Sequence, residues 1–460
     1  MIAQKTMKTH LAIGLLLLAV AGFGAAPVAP VIPTAAQPSA HFDPQVATDA
    51  WLATLSPAEK AKSDAYFEGG YWLVLWDFLY GVGVMLVLLE TRLSARMRDF
   101  AESLTRVRWL QSLVYAIQFV VAIGILSFPL TVYEDFIREH KYGLSNQNFG
   151  SWFRDLAVGL VVAAVLASIA IPILMAIVRR FPHTWPVWGT LAGIVFQIVV
   201  IVISPVFIAP LFNQYTPLRN SALKSRILSL ARQNGIPASD VYQVNASRQS
   251  KRISANVSGL FGTQRITLND NLLNRCSPEA ILSVMGHEMG HHVLHHLYNS
   301  VLFFSIVVAA LFALLRWALG RALARWGMRW QIRGIGDLAV LPLAALILTV
   351  FGFVFTPVGN TYTRTQEYEA DIFGLNTARQ PDGEAEADLL LGEYRKLDPA
   401  PLEELIFFDH PSGRTRIYAA MRWKAENLCL FDATLPCGNP PNTLKAFPSR
   451  PSHPSAAMVR

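Results

Sequence analysis

Six apolar runs, near residues 71–89, 109–131, 156–178, 187–210, 300–320 and 338–358, decide what this chain can fold into. At a helical rise of about 1.5 Å per residue, each is long enough to cross a hydrocarbon core of about 30 Å. A loop or open strand there would leave backbone donors and acceptors without water or partners, so the runs are read as transmembrane helices. Composition agrees: of 460 residues, 53% are hydrophobic and 15% charged, where a soluble domain carries about 25% charged residues. The predicted fold class is mainly α, a polytopic membrane protein.

A net charge of +7 would suit nucleic acid. The basic residues, however, flank apolar runs instead of forming a stripe interleaved with aromatics, so the expected partner is the lipid bilayer, with no nucleic acid. Arg92, Arg96, Arg98, Arg106 and Arg108, then Arg179 and Arg180, then Arg321, Arg325, Arg329 and Arg333 fall on one side of the spans. The opposing short loop offers Arg138, Lys141 and Arg154, offset by Glu134, Asp135, Glu139 and Asp155. The positive-inside rule makes the arginine side cytoplasmic and puts the regions after the fourth and sixth spans on the other side. The expected location is a bacterial inner membrane, with those regions in the periplasm.

The spans divide the chain. Residues 1–36, with Lys5, Lys8 and an apolar stretch from Leu11 to Phe23, read as a signal peptide or signal anchor, with Thr34-Ala35-Ala36 a tolerable cleavage site. A polar N-terminal segment (37–68), four spans (69–210), a first soluble region (211–299), two spans (300–358), a second soluble region (359–427) and a Pro-rich disordered tail (428–460) follow. Cys429 and Cys437 are close enough in sequence to pair or to stay free, which leaves Cys276 alone.

The first soluble region closes with the chemistry. Ser277-Pro278-Glu279 has the signs of a helix start: a capping hydroxyl, a proline preset for the first turn and an acid at the positive end of the dipole. That helix carries His287-Glu288-Met289-Gly290-His291. Residues four apart share a helical face, so His287 and His291 can close on one zinc ion while Glu288 stands beside them. Two neutral imidazoles and one further ligand leave an open position for water, whose proton Glu288 can take and pass to a leaving amine.

Glu367 and Asp371 are also four apart, in Asn360–Asp371 of the second region. The spacing lets Glu367 supply the third ligand while Asp371 hydrogen-bonds the far nitrogen of a ligand histidine. An ordinary solvated helix acid is the alternative. Glu369 points elsewhere on that helix, and a third histidine six residues after the motif is excluded because that position is Leu297. Within the first region, short strands are expected at 240–245, 252–258 and 264–268. The stretch from Ser254 to Gly259 is either a plain hairpin or an exposed strand able to pair with an extended substrate.

The zinc helix, the helix Arg364-x-x-Glu367-x-x-x-Asp371 and the segment His410-Pro411-Ser412-x-x-x-Arg416, in this order between membrane spans, resemble the CAAX prenyl protease family of integral-membrane zinc endopeptidases. The likeness runs from about residue 65 to 425. It includes Tyr142-Gly143-Leu144-Ser145-Asn146, which looks like that family's loop before a membrane helix. The resemblance implies one zinc per chain, held by His287, His291 and Glu367, with Glu288 as general base and Asp371 orienting a ligand histidine. It further implies that Asn256 and its strand hold the substrate backbone. His410 and Arg416 would line the cleft, His410 stabilising the developing oxyanion; on its own, His410 reads as a satisfied loop histidine. His292, His295 and His296 match no ligand and read as surface residues or as residues standing behind the ligands. The family's fold implies a transmembrane helix bundle enclosing a water-filled chamber, with a small α+β zinc metalloprotease region opening into it.

The function expected is a membrane-embedded zinc metalloendopeptidase acting on peptides or membrane-protein segments, lipid-linked ones included. A quality-control protease of the HtpX type shares the zinc signatures, and a non-catalytic membrane chamber with structural zinc is the remaining alternative.

Overall fold

A computed structural model describes residues 31–435, apart from residue 220 and residues 259–263. The apolar stretch from Leu11 to Phe23, Cys437 and the Pro-rich stretch after it lie outside the described residues. The chain enters through α1 (Pro44–Leu52), capped by Asp43. It continues into α2 (Pro57–Glu90), which starts well before its apolar run because Ser56 and Glu59 form a reciprocal capping box. Helix α3 (Leu93–Leu104) leads to α4 (Arg108–Lys141), which passes a π turn at Val132–Arg138, and then to α5 (Phe149–Arg180), capped by Asn148, and α6 (Trp185–Leu211).

Strand β1 (Tyr215–Pro217), α7 (Ser221–Gln233), β2 (Val241–Val244), β3 (Ala255–Ser258) and β4 (Arg265–Asn269) come next. They form a sheet ordered β1-β2-β4-β3, with β2 and β4 parallel and the outer pairs antiparallel. Among the described residues, strand β3 therefore has one free edge. After α8 (Asp270–Arg275) come α9 (Pro278–Val293), with His287 and His291, and α10 (His296–Trp326). The chain ends with α11 (Leu338–Ala378), α12 (Pro381–Leu391), α13 (Pro401–Phe407) and α14 (Gly413–Glu426).

Helices α2, α4, α5, α6, α10 and α11 are each long and apolar enough to cross a membrane, one for each predicted run. The chain is a multi-pass membrane protein. Each of these helices packs on the next in that order, and α11 packs back on α2, so the six close a ring. Few of their residues are buried, and the most apolar stretch of α6 has none. A solid bundle would bury one stripe of every helix; a ring exposes one side to lipid and the other to the space it encloses. The bundle is a chamber.

Ion pairs tie the connecting segments together at the arginine end of the ring. Arg98, 3% exposed, pairs with Asp337 at 2.6 Å, and Arg333 bridges to Asp99 and Glu102. The other end carries the sheet, α9 and α12–α14. The sheet's core is Ile227, Ile266, Leu268, Leu272, Ile281 and Met285.

The start of the described chain belongs to this end. Ala36, 0% exposed, accepts a hydrogen bond from Lys424 Nζ at 2.6 Å, and Trp51 packs among Ile417, Ala420 and Met421 of α14. Thr34-Ala35-Ala36 thus ends in a residue packed against α14, and the segment 37–68 holds α1 and the first turns of α2. Cys429 is disulfide-bonded, whereas Cys276 is free; burial pushes its thiol up to about 12.

Candidate active site

Helix α9 is fixed at its start and along one side. Ser277 caps it, as expected, and Glu386 of α12 accepts the Ser277 N–H at 2.8 Å. Along its length it meets α11 through small residues. A Cβ added at Gly286 would stand 3.0 Å from the Gly374 carbonyl, and one at Gly290 would stand 3.1 Å from the Ala370 Cα. Gly286 and Gly290, like Ala370 and Gly374, are four apart, so two stripes without bulk face each other and the backbones approach closely.

That approach brings Glu367 across to the histidines. The Nε2 atoms of His287 and His291 lie 3.0 Å apart, and the Glu367 carboxylate lies 3.2 Å from the first and 3.5 Å from the second. Asp371, 1% exposed at its side chain, lies 2.7 Å from His287 Nδ1. An ionised carboxylate only accepts, so His287 is protonated at Nδ1 and turns the Nε2 lone pair inward. Glu367 Oε2 is buried without a hydrogen-bond partner. Acceptors facing one another in this way call for a cation. Ligand atoms around a tetrahedral zinc would stand about 3.3 Å apart, so the set fits one. Among the described residues, His287, His291 and Glu367 are the group arranged to hold a metal.

Glu288 lines an adjoining cavity of about 210 Å³ together with Ser254, Ala255, Val284, Leu391 and Tyr394. Burial raises its carboxyl above the ordinary range, while His287 and His291 pull the other way. Residues 253–255, leading into β3, line this cavity; Asn256, exposed on β3 opposite Thr267, is not part of the lining.

Ser412 caps α14, and Arg416, four residues on, points inward. Its guanidinium is fully engaged: Nε and Nη2 donate to Asp371 at 2.9 and 2.6 Å, Nη2 also reaches Glu384 at 3.2 Å, and Nη1 pairs with Asp388 at 2.9 Å. Arg416 lines the cavity but grips Asp371, so it is not free to contact a substrate. Burial raises the Asp388 carboxyl well above the ordinary range, against the pull of Arg416. His410 Nε2 is 3.3 Å from Glu367, and its Nδ1 is 2.8 Å from Asp409. Arg364 donates to the carbonyls of Glu404 and Phe408 and so holds the turn before His410. Glu369 turns away from the group of His287, His291 and Glu367 and lies 3.2 Å from His296.

Sequence reasoning missed the small-residue stripes, although the i, i+4 spacing of Gly286 with Gly290 and of Ala370 with Gly374 carries the signal. It also missed Glu384 and Asp388, whose roles depend on contacts that no local spacing announces.

Two family models match. One, described as peptidase family M48, covers residues 217–424; the other, described as CAAX prenyl protease N-terminal with five membrane helices, covers residues 45–214. An uncharacterized metalloprotease of Bacillus subtilis, YhfN, is 29% identical over 80% of this chain and 86% of its own. CAAX prenyl protease 1 of Saccharomyces cerevisiae is 26% identical over 78% of this chain and 84% of its own. The crystal structure of S. mikatae Ste24p has the same fold, with a TM-score of 0.68 and 24% identity over 80% of this chain and 89% of that one. With the two models together spanning both the membrane ring and the catalytic end, the chain belongs to the CAAX prenyl protease family of membrane metalloproteases.

Proposed function

We propose that this chain is a zinc endopeptidase that hydrolyses peptides or membrane-protein segments admitted to its chamber. The observation that carries the reading is the convergence of His287, His291 and Glu367 beside the carboxylate of Glu288 on a cavity wall. Zinc, when bound there, supplies a Lewis acid that makes water acidic enough to attack at neutral pH.

The residues of the chain do the rest. Glu288 takes the proton of the attacking water and hands it to the leaving amine. Asp371, itself gripped by Arg416, holds His287 in the tautomer that presents Nε2. His410, fixed at Nδ1 by Asp409, directs Nε2 towards the ligand side, where it can stabilise the oxyanion. The free edge of β3, with Asn256, offers backbone groups to an extended substrate. A ring of apolar helices suits a substrate that keeps a lipid attached, and the yeast relative's name points to prenylated chains. The arginine end supports a cytoplasmic face there, with the zinc site on the periplasmic side of an inner membrane.

The test is zinc stoichiometry and cleavage of a quenched peptide library, prenylated and unmodified, by wild type and Glu288→Gln in detergent. The expected result is one zinc in both and turnover lower by about 10²- to 10⁴-fold in the variant. Full activity in Glu288→Gln would refute the mechanism. One zinc in both with turnover in neither, for any substrate, would favour a chamber with structural zinc.

A further inference from the structure

The ligand His291 has a buried partner of its own. Its Nδ1 lies 2.9 Å from Nδ1 of His296, and Nε2 of His296 lies 3.2 Å from Oε2 of Glu369. Residues five apart on one helix would stand roughly 140° apart around its axis. Here the helix breaks: His295 takes a left-handed conformation at φ 60° between α9 and α10 and folds His296 back beside His291. His296 is 3% exposed, and Gln366 of α11, itself held by Ser300, donates to its carbonyl at 3.4 Å.

The protons can be placed along this chain. The Glu369 carboxylate only accepts, so His296 Nε2 donates to it. A neutral His296 then has its lone pair at Nδ1, and the hydrogen bond with His291 forms only if His291 donates from Nδ1. His291 is left with its lone pair on Nε2, aimed where His287 aims its own.

We propose that His296 and Glu369 are positioning residues that set the tautomer and ring orientation of His291, as Asp371 does for His287. This rests on the reading of His291 as a metal ligand. Asp371 acts on the first histidine from α11, and the His296–Glu369 pair acts on the second from α10 and α11.

The experiment measures zinc affinity of the full-length, detergent-solubilised protein by competition with a chromophoric chelator, and the Tm of the chelator-stripped form. Wild type is compared with His296→Leu, His296→Asn, Glu369→Gln and Glu367→Ala. His296→Leu should bind zinc about 10- to 100-fold more weakly with the metal-free Tm unchanged. His296→Asn should recover most of the affinity, because its amide oxygen can stand where Nδ1 stood. Glu369→Gln, which keeps a carbonyl acceptor, should change it little. Wild-type affinity in His296→Leu overturns the proposal. So do equal losses in His296→Leu and His296→Asn with a lowered metal-free Tm, which mark a merely structural residue. Failure of wild type to bind one zinc, or wild-type affinity in Glu367→Ala, would instead bring down the ligand reading on which the proposal stands.

Discussion

A Cβ placed on Gly374 would lie 2.8 Å from the backbone nitrogen of His287. Backbone cannot swing aside as a side chain can, so Gly374→Ala must part α9 from α11 and carry Glu367 away from the histidines. The expected cost is about 1–3 kcal/mol of stability, with zinc affinity falling by about tenfold or more. Gly359→Ala on the same helix is the control: its new methyl would meet only the Phe355 ring at 3.8 Å. Thermal denaturation and zinc competition on both variants check this, and equal behaviour of the two would mean that the close approach does not matter.

Arg416 neutralises a buried acid cluster. With its side chain removed, Asp371, Glu384 and Asp388 would face one another with no cation, each 1–4% exposed at the side chain. Arg416→Ala is expected to cost about 3–5 kcal/mol. Arg416→Lys should recover only part, because one ammonium cannot reproduce the fork that meets three carboxylates. Chemical denaturation at neutral pH gives the comparison; full recovery by lysine would show that charge alone is enough.

Much of this architecture can be read from local pattern, and the remainder could not have been. The six spans follow from lipid's intolerance of unpaired backbone groups. His287, Glu288 and His291 share a face because of a spacing that any helix obeys. What local pattern hides is reach. Residues up to 358 and from 359 onward read as a span and a separate soluble region, yet one helix, α11, runs from the membrane to Glu367 and Asp371, so the ring and the site share an element. Strand β1 is three residues long and exists only because β2 pairs with it. The His291–His296 contact requires a left-handed residue at His295, a position whose sequence gives no glycine or asparagine to signal it.

The docked start of the chain is testable in its own right. Trp51, 1% exposed, fills the space between α1 and α14. Trp51→Ala is expected to cost about 3–5 kcal/mol and to expose residues 37–56 to limited proteolysis. Val46→Ala, on the exposed side of the same helix, should do neither. If Trp51→Ala resists proteolysis as wild type does, the segment is held by something other than this core.

The convergent acceptors imply a trade between holding metal and folding without it. His287 Nε2, His291 Nε2 and the Glu367 carboxylate point lone pairs at one spot, which is unfavourable until a cation occupies it. Glu367→Gln replaces one charged acceptor with a group that can donate a hydrogen bond to a histidine nitrogen. The metal-free protein should therefore gain about 0.5–2 kcal/mol. The zinc-dependent stabilisation, about 4 kcal/mol at a thousandfold excess over Kd in wild type, should largely vanish. Measuring Tm with chelator and with saturating zinc on both proteins separates the two effects. A metal-free Tm that falls in Glu367→Gln would mean that this carboxylate supports the fold through contacts other than those at the metal position.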